Sequence, residues 1–101
     1  MCRRQHGAAF ATYAAFDTAE FSWVSGESLV ETYEAPTGGG WCFCKICGST
    51  LAGTDKGVLK SITLGTIKGN PGITPELHIF TDSKAPWYEI TDELPQFDER
   101  P

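Results

Sequence analysis

The chain reads as mainly β, a small sandwich or barrel-like stack of sheets. Apolar residues recur with a period close to two along most of the sequence, and turn-forming residues interrupt it about every ten positions. A third observation says what the sheets are built around. Cys42, Cys44 and Cys47 fall within six residues, and Gly48 follows at once. With 101 residues the chain is expected to form a single domain over 1–101. That length is near the lower end of what a hydrophobic core supports unaided, so a metal staple would help. A hydrophobic content of 41% with 12% aromatics is that of a folded chain rather than a disordered one.

The elements follow in order. Met1-Cys2-Arg3-Arg4-Gln5-His6-Gly7 is a polar start. His6 stands four residues after Cys2, one turn apart if this segment is helical. It reads either as a group for handling protons or metal or as an ordinary polar residue near a terminus. Ala8 to Phe16 is apolar and aromatic without helical charge patterning. It is read as a buried strand from about Ala9 to Ala15, although its alanines also suit a helix. Asp17-Thr18-Ala19-Glu20 is a turn, and Phe21 to Gly26 alternates as a short strand. Leu29 to Glu34 is a β-branched strand with Glu31 toward solvent. Pro36-Thr37-Gly38-Gly39-Gly40 is a loop.

Trp41 to Cys44 is a strand running into a turn at Lys45-Ile46. Alternation puts Cys42 and Cys44 on one face. Cys42 is then either a third ligand or a buried, inert thiol beside the site. Ser49 to Thr54 returns as a hairpin partner, Asp55-Lys56-Gly57 turns, and Val58 to Ile67 is the longest strand candidate. There, Leu59, Ser61, Thr63 and Gly65 share one face, and Val58, Lys60, Ile62, Leu64 and Thr66 the other. Lys68 to Gly72 is a strong turn signal. Glu76 to Thr81 is a last strand carrying His78, which reads as a metal ligand, a catalytic group or a satisfied structural histidine. In the tail, Trp87 and Tyr88 are expected to pack, and Asp92, Glu93, Asp98 and Glu99 to form a solvated acidic face.

A net charge of −5 argues against non-specific nucleic-acid binding. No apolar run approaches the roughly 20 residues of a membrane span. No apolar segment follows the N-terminal residues, so no signal peptide is expected, and the reading is a cytoplasmic protein with reduced thiols. Two thiolates at the Cys44–Cys47 spacing can converge on one Zn2+, and Gly48 lets the backbone turn beneath it. A redox Cys-x-x-Cys is the rival reading, but the thioredoxin-like βαβ context is lacking.

Three separated motifs carry a resemblance. Cys2-Arg3-Arg4-Gln5-His6-Gly7-Ala8-Ala9-Phe10, Phe43-Cys44-Lys45-Ile46-Cys47-Gly48-Ser49, and His78-Ile79-Phe80 with Ser83-Lys84-Ala85-Pro86-Trp87-Tyr88 resemble the glutathione-dependent formaldehyde-activating enzyme family. That family also takes in centromere protein V-like proteins. The resemblance implies an Mss4-like fold, small stacked β-sheets around zinc. It implies a carbon–sulfur lyase that joins formaldehyde and glutathione as S-hydroxymethylglutathione, so a small-molecule thiol or aldehyde is the expected partner. The family pattern has a structural zinc, held by an early Cys-x-Cys pair and a later Cys-x-x-Cys pair. The later pair matches Cys44 and Cys47. A catalytic zinc takes Cys-x-Cys-x-x-Cys, whose last cysteine matches Cys2.

Everything the pattern places before Cys2 lies outside this sequence, which fits a start further upstream or a natural remnant. On this reading the N-terminal strands are missing, the structural site keeps Cys44 and Cys47, and the catalytic site keeps Cys2. Zinc would then be weakly held or absent unless Cys42, His6 or His78 substitutes. The uncovered edge or apolar surface would invite a homodimer. The alternative to a lyase is a catalytically inactive binding or scaffold module, zinc-stabilised or metal-free.

Overall fold

The computed structural model describes residues 2–101, with side chains from residue 3 onward. Thr12–Pro71 forms one compact unit, and Met1–Ala11 with Gly72–Pro101 forms another.

The first unit is one antiparallel sheet. Its strands are β1 (Tyr13–Ala15), β2 (Val30–Glu34), β3 (Gly39–Cys44), β4 (Thr50–Asp55) and β5 (Val58–Thr63), in the spatial order β1-β5-β4-β3-β2. The mainly-β class is therefore present as five strands in a single sheet. Sequential hairpins build β2 to β5. The side chains buried in this unit are small: Ala35, Cys42, Ala52, Thr54 and Thr63. Gly40, Cys42, Ala52 and Thr54 share a face by register, since Gly40 pairs with Thr54 and Cys42 with Ala52. On the other face Tyr33 and Trp41 pair edge to face at 4.6 Å.

Two irregularities interrupt the ladders. Cys42 pairs with Ala52 and Phe43 with Thr50, which leaves Leu51 as an extra residue on β4. Thr63 supports this bulge: its Oγ1 lies 3.1 Å from the Thr50 carbonyl oxygen and 3.0 Å from that of Leu51. On β5, Leu59 pairs with Thr54 and Ser61 with Gly53, so Lys60 is extra. The strict alternation expected from Val58 to Ile67 breaks there. The strand also ends early, at Thr63. Thr66 Oγ1 donates to the Thr63 carbonyl at 3.0 Å, and Leu64–Thr66 turns as a single 3-10 turn.

The segments before β2 differ from the expectation as well. Only Tyr13–Ala15 of the first apolar run pairs with a neighbour, β5. Phe21 to Gly26 has the spacing of a strand, but among the described residues no strand pairs with it. Asp17 instead caps a 3-10 turn at Thr18–Glu20, its carboxylate accepting from the Ala19 N–H at 3.1 Å. Phe16 then stacks on Phe21, and Phe21 meets Trp23 edge to face, with centroids 5.2 and 5.0 Å apart. The period of two belongs here to an aromatic ladder rather than to hydrogen bonding.

The second unit opens with α1 (Cys2–His6). Its other part is the C-terminal segment. The strand expected over Glu76 to Thr81 makes one parallel bridge, His78 with Gln96. Phe80 takes a left-handed φ of 55° and breaks the extended run. Hydrogen bonds hold what remains: His78 N–H to the Pro95 carbonyl at 2.8 Å, Phe97 N–H to the His78 carbonyl at 2.9 Å and Phe80 N–H to the Glu99 carbonyl at 2.9 Å. Tyr88 packs on Phe10 at 5.3 Å as expected of the tail, whereas Trp87 is exposed.

Two positions test the ladder. A Cβ at Gly40 would overlap the Tyr33 carbonyl oxygen, a backbone atom that cannot swing aside. Gly40→Ala is expected to cost about 2–3 kcal/mol, lowering the thermal midpoint by about 10 °C or more. At Gly53 the nearest atom is the Ser61 hydroxyl, at 2.5 Å, which can rotate away, so Gly53→Ala should lose less in the same melt. The two-residue β4–β5 turn has Lys56 at φ 51° and Gly57 at φ 79°, the form that favours Asn-Gly. Lys56→Asn is expected to gain about 0.5–1 kcal/mol, read as a higher midpoint.

Candidate metal centre

The turn between β3 and β4 is built around the sulfur of Cys44. Cys44 closes β3 with its N–H donating to the Ser49 carbonyl at 2.9 Å, and its own carbonyl accepts from Gly48 N–H at 2.7 Å. That tight return needs Gly48 at φ +81°, a conformation L side chains rarely adopt. The Lys45 N–H donates to the Leu29 carbonyl at 2.8 Å and ties the turn to the start of β2.

Donors of the turn lower the pKa of the Cys44 thiol. The Cys47 N–H, the Ile46 N–H and the Cys47 thiol all donate to it, in that order of effect, and hold the Cys44 thiol below its ordinary range. Sulfur ligands of a metal need the same conditions: a stabilised thiolate, a second sulfur beside it, and a turn that leaves the outer side open. Cys44 is half-buried and Cys47 exposed, both as free thiols. Lys45 to Ser49 are all exposed, and Ile46 shows 74% of its surface.

The donor set is half of what zinc takes. A structural zinc wants about four ligands, tetrahedrally placed. Cys44 and Cys47 supply two sulfur donors three positions apart in sequence. Among the described residues, no group of three or more His, Cys, Asp or Glu side chains comes together to hold a metal. Cys42 is 1% exposed, with Sγ 3.4 Å from the Thr32 hydroxyl. The side chain of Cys2 lies outside the described residues.

The two histidines belong to the other unit. His6 is half-buried at the end of α1, and its Nδ1 accepts from the Ala8 N–H at 3.2 Å. Burial lowers its pKa, which favours the neutral ring, and with Nδ1 engaged the proton sits on Nε2. In this arrangement His6 offers a hydrogen-bond donor rather than a base. His78 Nε2 lies 2.9 and 3.0 Å from the two oxygens of Asp92. Asp92 is held below the ordinary carboxylate range, first by that hydrogen bond and then by the Leu94 N–H. The sequence reading placed Asp92 in a solvated run and missed this partner. An Asp two residues before Leu94-Pro95 is a turn signal that could have separated it from its neighbours, and Leu94 N–H donates to its Oδ1 at 2.9 Å. Glu93, Asp98 and Glu99 are exposed, as expected. No helix among the described residues is long and apolar enough to cross a membrane.

Alkylation reads the state of Cys44 directly. In the metal-free reduced chain, Cys44 should reach half-maximal reaction with iodoacetamide at a lower pH than the same cysteine in the urea-unfolded chain. Peptide mass spectrometry over a pH series measures both. Equal midpoints would show that the turn amides do not stabilise the thiolate.

The chain matched no curated protein and no solved structure. The model of the glutathione-dependent formaldehyde-activating enzyme family matches residues 1–83, a span that takes in α1, all five strands, the Cys44–Cys47 turn and His78. The chain therefore belongs to the glutathione-dependent formaldehyde-activating enzyme family.

Proposed function

We propose that this protein is a zinc-dependent carbon–sulfur lyase-type member of its family, acting on a thiol–aldehyde adduct such as S-hydroxymethylglutathione. The family match over residues 1–83 carries the reading, and the Cys44–Cys47 turn supports its zinc part. In the cleavage direction the carbon–sulfur bond of the adduct breaks, sulfur keeps the electron pair, and the hydroxyl loses its proton as the carbonyl forms. The reverse direction makes the adduct from thiol and aldehyde.

The residues have separate parts in this proposal. Cys44 and Cys47 would hold two positions of a structural zinc, which supplies folding energy to a domain with small buried side chains. Cys2, by its place in the family pattern, would be a ligand of the catalytic zinc. Such a metal stabilises a bound thiolate or polarises an aldehyde oxygen. One cysteine alone does not hold a catalytic metal. His6, with Nδ1 engaged, would orient a polar group of the substrate through Nε2–H.

A second reading has its own support. The donor set among the described residues stops at two thiols, which favours a binding or scaffold module whose metal, where bound, is only structural. Exchange spectroscopy on 13C-formaldehyde and glutathione separates the two. With the zinc-supplemented chain, the lyase reading expects exchange between free and adduct carbon at least about tenfold above the spontaneous rate, a modest gain for an enzyme. Exchange at the spontaneous rate, with the chain folded and its zinc counted, leaves the binding module.

A further inference from the structure

We propose that His78 is a general base of the adduct chemistry and that Asp92 positions it, with His78 Nδ1 taking the proton of the adduct hydroxyl as the carbon–sulfur bond breaks. The proposal rests on the lyase reading above and says which side chain moves the proton.

Three observations carry it. First, Asp92 fixes the tautomer. His78 Nε2 lies 2.9 and 3.0 Å from the two carboxylate oxygens. An ionised carboxylate only accepts, so Nε2 carries the hydrogen and Nδ1 is left as a bare acceptor. Second, Asp92 is itself held in place, since the Leu94 N–H donates to its Oδ1 at 2.9 Å. Third, the segment does not need the ring to stay together. The His78 N–H donates to the Pro95 carbonyl at 2.8 Å, and the His78 carbonyl accepts from the Phe97 N–H at 2.9 Å. The Thr81 N–H and hydroxyl both reach the Phe97 carbonyl at 3.1 Å. Those bonds survive any change of the His78 side chain, and an exposed His–Asp pair adds little to stability. What the pair does add is orientation, together with a carboxylate that stabilises the imidazolium once Nδ1 is protonated.

The surroundings leave Asp92 in charge of the ring. Gln96, opposite His78 in the parallel bridge, is uncharged. Glu76 on the same stretch and Glu93, Asp98 and Glu99 on the paired one are exposed, and Asp92 is the charged group in contact. The His78 side chain keeps 26% of its surface open, so the ring is not sealed from a small substrate. His6, in the same unit, offers a donor at Nε2 where His78 offers an acceptor at Nδ1. In cleavage the hydroxyl proton passes to Nδ1, its electron pair becomes the carbonyl bond, and the carbon–sulfur pair leaves on sulfur. The imidazolium then returns its proton to the thiolate or to water. Adduct formation runs the same transfers in reverse.

The test has an arm with activity and an arm without. In exchange of 13C-formaldehyde with glutathione on the zinc-supplemented full chain, His78→Gln should lose about 100-fold of the gain over the spontaneous rate, or all of it where the gain is smaller. Its thermal midpoint should stay near that of the parent. Added imidazole should restore part of the rate lost in His78→Ala, which it would not do for a residue that only holds the fold. The gain of the parent chain should fall as pH drops through the ring's own midpoint, followed by NMR, because only the neutral ring accepts a proton. Without metal or substrate, 15N shifts of the neutral ring should show Nε2–H in the parent chain and a mixture of tautomers in Asp92→Asn. A parent chain that accelerates exchange while His78→Gln matches it would overturn the base and leave the lyase reading standing. An Nδ1–H tautomer in the parent chain, or a rate loss in His78→Gln that comes with a lowered midpoint and no imidazole rescue in His78→Ala, would overturn it as well. Exchange at the spontaneous rate in the parent chain would remove both.

Discussion

The ladder of β2, β3, β4 and β5 has to hold its shape without a large core. Its buried residues are alanine, cysteine and threonine, none of which removes much apolar surface from water. Register therefore depends on backbone pairing and on a few close approaches. At Gly40 the neighbouring backbone comes so near that no side chain fits. At Thr63 a single hydroxyl serves two carbonyls at the bulge. Thr54 Oγ1, buried with no hydrogen-bond partner among the described residues, is an unfavourable contact that the same close packing tolerates.

The legible parts of the sequence were those where local chemistry decides the outcome. β2, β3 and β4 and the turns between them lie close to where alternation and turn residues put them, because each strand pairs with its sequence neighbour. The Cys-x-x-Cys-Gly turn was legible for the same reason: its geometry is set by five consecutive residues. The failures occur where a partner was needed that the sequence does not name. Phe21 to Gly26 alternates, yet among the described residues no strand pairs with it. Val58 to Ile67 looked continuous, but the extra residue at Lys60 and the Thr66 hydroxyl depend on β4 and on the local turn. His78 was recognised and Asp92 was not, because fourteen residues separate them. Whether Cys42 faced a metal or the interior was open in the sequence; its contact with Thr32, across a strand pair, is a property of the sheet.

Membership of the formaldehyde-activating family and the shape of the cysteine turn address different questions. The first places the chain near thiol–aldehyde chemistry. The second concerns one local device, in which two peptide N–H groups and one thiol stabilise a sulfur. The histidines belong to the other unit. His78 and Asp92 clasp the C-terminal segment of their own unit, and His6 closes α1 by accepting from Ala8.

The edge strand β2 has a bearing on solubility. It offers one unpaired side of its backbone along Val30–Glu34, and Glu31 and Glu34 on it are both exposed. Two such edges brought together would set carboxylates against carboxylates in a molecule that is already acidic. The strand thus carries gatekeepers against sheet-to-sheet growth. Their repulsion is strongest in dilute buffer and fades as added salt shortens its range. Crowding the chain at high ionic strength is the condition that would unmask the edge as a route to fibrous assembly.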